Sequence, residues 1–295
     1  MQQRPVWPKL ISAIVPVAGF PNGTTQIDTW TKSSSLSNFE IIFVNDSDDI
    51  EVEKKLHEIA FELREHSKVK VVKSQCRNPG GSRNLGLSIA KGSWIVFWDC
   101  DDIPNPAKVL EMVVIADEVN SDVTLGEFQI IGSASENIRV KRILTGQKVL
   151  ESVAVNPGLW RFAIKMDLTK NTRFQELSMA EDQIFLAEIL AKSTHLTCFH
   201  ETVYEYWNHP GGQLTKNKIK IGQLDFAIEH FYQEYKSTKC QPLLIAIIRL
   251  NLTALKKHSV MGKLMVLSKF SIFIISHLFD IKTIVNSFFL IWRLR

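Results

Sequence analysis

The chain has 295 residues, 45% hydrophobic and 22% charged, the balance of a globular protein with a sizeable core, which excludes disorder and a disulfide-dependent scaffold. A net charge of +4 is too mild to suggest a nucleic-acid partner by itself. The four cysteines, Cys76, Cys100, Cys198 and Cys240, are scattered without a CxxC pair, which argues against structural zinc and fits reduced thiols in a cytosolic compartment.

Leu10–Val17 (LISAIVPV) is a short apolar run broken by Pro16. It reads as a buried first strand and is too short and too polar before the run for a signal peptide. A Gly- and Pro-bearing loop follows, and Thr24–Ser35 is weakly helical. Phe39–Asn45 (FEIIFVN) reads as a second buried strand, ending in Asp46, Ser47, Asp48 and Asp49. Val52, Leu56, Ile59, Ala60 and Leu63 then recur at helical spacing over Ile50–Ser67, with Asp48 or Asp49 placed to cap that helix. Val69–Lys73 predicts a third strand, Gly80-Gly81 a turn, and Ser82–Ala90 a short helix. Trp94–Trp98 (WIVFW) is a continuous apolar run suited to a central strand buried on both faces.

This alternation of strands and helices predicts an α/β domain with a mostly parallel sheet flanked by helices. The acid-bearing loops after the second and fourth strands then share one edge, where open α/β sheets bind ligands. Beyond them, the pattern predicts a helix over Ala107–Val119 and a strand over Val123–Ile131. Glu136–Gly146 reads as a basic loop and Gln147–Val155 as a short helix or turn. A strand over Leu159–Lys165 precedes a helix or turn at Met166–Asn171 and a helix opening at Glu181-Asp182. Strands over His195–Phe199 and Glu201–Trp207 lead to a turn at His209. Helices are expected over Lys218–Tyr235 and Pro242–Lys257. Met261–Trp292 is apolar but interrupted, and its longest apolar segment, Phe270–Phe279, is shorter than the ~20 residues of a spanning helix. It fits helices lying in a membrane interface, or a helical cap on the chain's own core or a dimer interface.

The acid cluster Asp99-Cys100-Asp101-Asp102 is the strongest chemical signal. Carboxylates in close register repel, and a divalent cation relieves them. Magnesium or manganese commonly sits on one or two carboxylates together with substrate phosphates. The competing reading is a helix N-cap cluster. Asp46 is placed to accept a hydrogen bond from a nucleobase or ribose, or to cap the next helix. Around the Gly80-Gly81 turn, backbone amides can face phosphate, and Arg83 can reach a diphosphate or lock the acid cluster by a salt bridge. Glu181 and Asp182 sit at a helix start, where the dipole favours carboxylates; a base for a sugar hydroxyl must be ionised and within reach. His209 can touch phosphate or metal, or be structural.

Together, Ile14-Val15-Pro16-Val17, Glu40–Asp46, Asn78 with Arg83–Gly86, Gly92–Ile95, Phe97–Asp102, Glu181-Asp182 and Tyr206–Leu214 resemble the family 2 glycosyltransferases of the GT-A fold. The resemblance runs from about Ser12 to Leu214. It implies a GT-A domain over 1–215, with a nucleotide-binding half (10–105) and an acceptor half (106–215), followed by a helical region (216–295). It implies an inverting transfer from a nucleotide-diphosphate sugar, a UDP-sugar first, to a hydroxyl of a glycan or lipid-linked acceptor in cell-surface polysaccharide synthesis. The implied roles are base reading for Asp46, nucleotide lining for Pro16 and Val17, ribose or sugar contact for Asp99, and Mn2+ or Mg2+ ligation for Asp101 with Asp99. Asp182 would be the general base, with Arg83, Glu181 and His209 as further substrate contacts.

The chain departs from the family at Asn45, where an acid is common, at Ser47-Asp48-Asp49, and at Ala18-Gly19-Phe20. These changes leave the base identity open. Two alternatives stand beside this reading. A sugar nucleotidyltransferase would want a basic, Gly-rich loop after the first strand, and no Lys or Arg occurs between Gly19 and Trp30. A non-catalytic scaffold in a polysaccharide-assembly complex would not need Asp99, Asp101 and Asp182. From Lys256 onward seven Lys and Arg residues face one acid, Asp280. This suggests a cytoplasmic protein in peripheral contact with an anionic membrane through 256–295, at the inner face of the cell membrane.

Overall fold

The computed structural model describes residues 10–20, 23–134, 137–143, 158–177, 180–208, 221–239 and 241–276. They fall into two compact units.

The first unit carries a nine-stranded sheet. Strands β1 (Ile11–Val17), β2 (Phe39–Asn45), β3 (Lys68–Lys73) and β4 (Trp94–Phe97) are parallel, with β1 between β2 and β4 and β3 outside β2. β2 and β4 are buried along their whole length, the pattern of strands covered on both faces. Helix α1 (Thr25–Trp30) and a 3-10 turn (Ser34–Asn38) join β1 to β2, so the weakly helical segment divides in two. Helix α2 (Ile50–Leu63) crosses from β2 to β3, and Asp49 is its cap, accepting the Glu51 N–H at 2.9 Å.

Helix α3 starts earlier than its sequence suggests. It spans Pro79–Ile89, so Gly80 and Gly81 are helical and not a turn. Asn78 caps it by accepting the Gly81 N–H at 2.7 Å, with Pro79 at the first helical position, where a missing N–H costs nothing. Both glycines serve close packing. A Cβ on Gly80 would stand 2.3 Å from the Gln175 carbonyl oxygen, and one on Gly81 2.5 Å from Cys76 Cβ.

Past β4 the sheet is mixed, with antiparallel and parallel neighbours. A two-residue β5 (Ile103–Pro104) precedes α4 (Pro106–Glu118). Strand β6 (Val123–Ala134) pairs with β7 (Asn137–Ile143), with Ala134 opposite Asn137. The expected basic loop is therefore in part a strand. Ladder pairing with β6 satisfies its backbone, and Arg139 and Lys141 alternate with Ile138 and Val140. A 3-10 turn (Leu159–Arg161) and β8 (Phe162–Lys165) replace the single strand predicted there, and α5 (Met166–Thr169) is the helix of the helix or turn expected next. Strand β9 (Leu196–Asn208) runs unbroken through His200, with register shifts against β6 between Gly126 and Phe128. β8 joins β4 to β6 by antiparallel pairing on both sides, and β9 lies parallel to β6, so a mixed half extends the parallel half directly.

The second unit is helical: α6 (Glu181–Lys192), α7 (Ile221–Thr238), α8 (Gln241–Lys257) and α9 (Val260–Ser276). Ile184 and Ala187 of α6 bury against Leu224, Ile228 and Phe231 of α7 and the apolar face of α8. The boundary expected at 215 thus differs from the division by contacts, which groups α6 with the later helices. The expected helix over Gln147–Val155, the turn at His209 and everything after Ser276 lie outside the described residues.

Candidate functional site

The site is built on the C-terminal ends of β1, β2 and β4. Val17 lies opposite Asn45, so Asp46 emerges beside the end of β1, and its N–H donates to the Val17 carbonyl at 2.8 Å. Phe97, the last residue of β4, is opposite Ile14. Residues 99–102 therefore run alongside the continuation of β1, and the Cys100 thiol contacts the Gly19 carbonyl at 3.6 Å.

Asp46 is half-buried and does not cap α2, a role filled by Asp49. Its Oδ1 accepts the Arg77 N–H at 3.1 Å, with Arg77 in the left-handed region at φ 52°. Pro16 is half-buried, whereas the Val17 side chain is fully buried in the core. Val17 offers the site only its backbone, and its carbonyl is already bonded to Asp46.

The acid loop is held from three sides. Arg83, buried on α3, forms an ion pair with Asp99 at 2.9 Å and lies over the Phe174 ring. The Asp99 N–H donates to Tyr204 Oη at 3.0 Å. Asp102 accepts the Tyr204 hydroxyl at 3.0 Å and the Trp207 N–H at 2.7 Å. Helix α4 is capped by Asn105, which accepts the Lys108 N–H at 3.1 Å. None of the three acids is spent on capping, which removes the N-cap reading of the cluster.

The three carboxylates divide by environment. Asp102 is fully buried, while Asp99 and Asp101 are half-exposed. Burial, and then the charges of Asp99 and Asp101, push the Asp102 carboxyl well above its ordinary range. Burial and the charges of the neighbouring acids push the Cys100 thiol up, which disfavours its thiolate. Among the described residues no group of three or more His, Cys, Asp or Glu is placed to share a metal ion. Asp99 and Asp101 are nevertheless two hard oxygen donors beside a third acid that they polarise. Such a set fits Mg2+ or Mn2+, which takes one or two carboxylates and completes its shell with substrate phosphates and water.

Asp182 and Glu181 belong to the second unit. Ala180, immediately before α6, takes φ 66°, unusual for a residue with a Cβ, and its carbonyl accepts the Ile184 N–H at 3.2 Å. Asp182 is half-buried and accepts the Gln183 N–H at 2.8 Å and the Gln183 side-chain amide at 3.2 Å. Glu181 is buried. His209 lies outside the described residues. Of the residues that anchor Asp102, Tyr204 was not singled out in the sequence and Trp207 only fell within the Tyr206–Leu214 segment. Their only sequence signal is an aromatic-rich strand closing the domain, and the pairing of β9 with β5 is what brings them to the acid loop.

Acid-bearing loops at the C-terminal ends of parallel strands, one with a carboxylate pair after the fourth strand, stand where open α/β sheets bind ligands. The profile described as glycosyl transferase family 2 matches residues 27–186, more than half of the chain. The chain belongs to this family.

Among curated relatives, the cholesterol galactosyltransferase of Borreliella burgdorferi is 23% identical over 256 residues, covering 76% of this chain and 69% of the relative. The poly(ribitol-phosphate) β-N-acetylglucosaminyltransferase TarS of Staphylococcus aureus is 23% identical over 178 residues, 58% of this chain and 30% of the relative. The structure of TarS residues 1–349 with UDP-GlcNAc superposes with a TM-score of 0.64 at 18% identity, over 82% of this chain and 72% of that one. The mannosyltransferase PcManGT of Pyrobaculum calidifontis, solved with GDP-Man and Mn2+, gives 0.56 at 11% identity, over 97% of this chain and 87% of that one. These likenesses establish the GT-A fold.

Proposed function

We propose that this glycosyltransferase moves a sugar from a UDP-sugar to a hydroxyl of a glycan or lipid-linked acceptor, with inversion, in cell-surface polysaccharide synthesis. The observation that carries the reading is the acid loop: Asp99, bound by Arg83 and Tyr204, and Asp101 stay half-exposed at the same sheet edge as Asp46, while Asp102 is buried beneath Tyr204. The relatives and neighbours support it, since one acts on cholesterol, one was solved with UDP-GlcNAc and one with Mn2+.

In this reading Asp46 accepts a hydrogen bond from the base or ribose, and Pro16 lines the nucleotide. Asp101, with Asp99, would hold Mg2+ or Mn2+ on the donor diphosphate. When bound, the cation supplies charge neutralisation for the leaving diphosphate. Arg83 fixes Asp99, so the loop does not reorganise when the donor arrives. Asp182 takes the proton from the acceptor hydroxyl as that oxygen attacks the anomeric carbon from the face opposite the diphosphate. One direct displacement of this kind inverts the configuration. Glu181 and His209 are proposed substrate contacts.

The test compares three proteins. Asp101→Ala and Asp182→Asn should each lower sugar transfer by at least about 1000-fold. The Asp182→Asn protein should keep the Mn2+-dependent rise in melting temperature with UDP, and the Asp101→Ala protein should lose it. Loss of that rise in Asp182→Asn would overturn its role as base. Activity persisting in Asp101→Ala would overturn the metal assignment.

A further inference from the structure

Helix α9 is 17 residues long, and its packed side is a narrow stripe of Val266, Phe270 and Phe273. Phe273 stacks on Tyr232 of α7 with ring centroids 4.6 Å apart. At about 100° per residue, the side of α9 opposite this stripe carries Leu267, Val260, Leu264, Ile275, Met261, Ile272 and Met265 in angular order. They form an arc of about 160°, and each is between 46% and 77% exposed. Only small polar residues, Ser268 and Ser271, interrupt it. Lys263 and Lys269 stand just beyond its two edges, each about 40° from the nearest residue of the arc. Lys269 also lies 3.7 Å from Glu229. The helix contains no acid.

A solvated helix shows the reverse order, with its charges opposite the core. An apolar arc facing away from the core with a lysine at each margin is the arrangement of a helix lying in a lipid interface. The apolar residues enter the acyl boundary, and the lysine stems reach outward to anionic headgroups. No described helix is long and apolar enough to cross a membrane. The sequence after Ser276 continues the same chemistry, with Lys282, Arg293 and Arg295 against Asp280 among Phe, Leu, Ile and Trp.

We propose that α9 is an in-plane membrane helix that docks the protein on an anionic lipid surface through this arc. The inference stands on α9 alone and does not depend on the proposed donor or acceptor.

The purified full chain should float with vesicles of phosphatidylcholine containing about one third phosphatidylglycerol, and much less with pure phosphatidylcholine. Leu264→Glu with Ile272→Glu should abolish flotation without lowering the melting temperature, because both positions are exposed. Lys263→Ala with Lys269→Ala should weaken partitioning by about tenfold. Four results would overturn the proposal: no flotation; equal flotation with both vesicle types; flotation unchanged by the glutamate pair; or a vesicle-free dimer that the glutamate pair dissociates, which assigns the arc to a second copy. Protection of Ile272→Cys from a water-soluble maleimide in the vesicle-free monomer would also overturn it, by showing that residues 277–295 cover the arc.

Discussion

Asp102 follows directly on Asp101, yet its surroundings differ completely. Two donors, Tyr204 and the Trp207 amide, meet it in a buried setting, whereas Asp101 stays half-exposed. Sequence can show that three acids are clustered. It cannot show which of them the fold removes from water, because that depends on a strand a hundred residues away. Glu40 makes the same point at the other end of the sheet. Burial works to raise its pKa, but Lys70, the Ser12 hydroxyl and the Lys91 amide together hold it below the usual value of 4.5. The folded state thus binds its proton more weakly than the unfolded chain, so the stabilisation is present above pH 4.5 and is lost as pH falls through the lowered value. Glu40→Gln should cost about 2 kcal/mol at neutral pH, and urea unfolding should show the deficit shrinking in acid.

At the level of elements, the Gly80-Gly81 pair was readable as a backbone device, but its purpose was not. Two glycines together suggest a turn, and only the approach of the 174–175 segment shows that they clear space at the start of α3. Gly80→Ala would press its Cβ on the backbone oxygen of Gln175, which cannot rotate away. The expected loss is about 2 kcal/mol, read by chemical denaturation, with Asn84 weakening its two bonds to Phe174. Helices α6 and α7 supply a pH-dependent contact. His230 Nε2 lies 3.4 Å from the Glu188 carboxylate, and that neighbouring charge raises the imidazole pKa above 6.5. A raised histidine contributes stability below 6.5 that fades as pH rises through its folded value. The melting temperature should therefore fall over that window, and His230→Gln should flatten the decline.

Over the whole molecule, the strand–helix alternation, the parallel half of the sheet and the acid loop at its edge were legible in the residues themselves. Buried parallel strands are continuous apolar runs, and such runs stand out. The resemblance carried by those motifs agrees with the family found for residues 27–186. The mixed half was read less well. β7 was taken for a loop because its basic, alternating pattern is a weaker signal than an apolar run, although its partner β6 directly precedes it, and β9 was taken for two strands because its partner β6 lies far back along the chain. The basic tail was visible as composition. Its angular order on α9 was not, since a helical wheel has meaning only once the packed stripe is known.

The sequence alone determined that Asp99, Asp101 and Asp102 follow a buried strand, because an apolar run ending in acids has few other uses. Tertiary structure decided their division of labour. The crossing of β9 over the loop buries Asp102 beneath Tyr204, and α3 brings Arg83 to Asp99. These are long-range contacts, set by the pairing of strands and not by the neighbours of any residue in the chain.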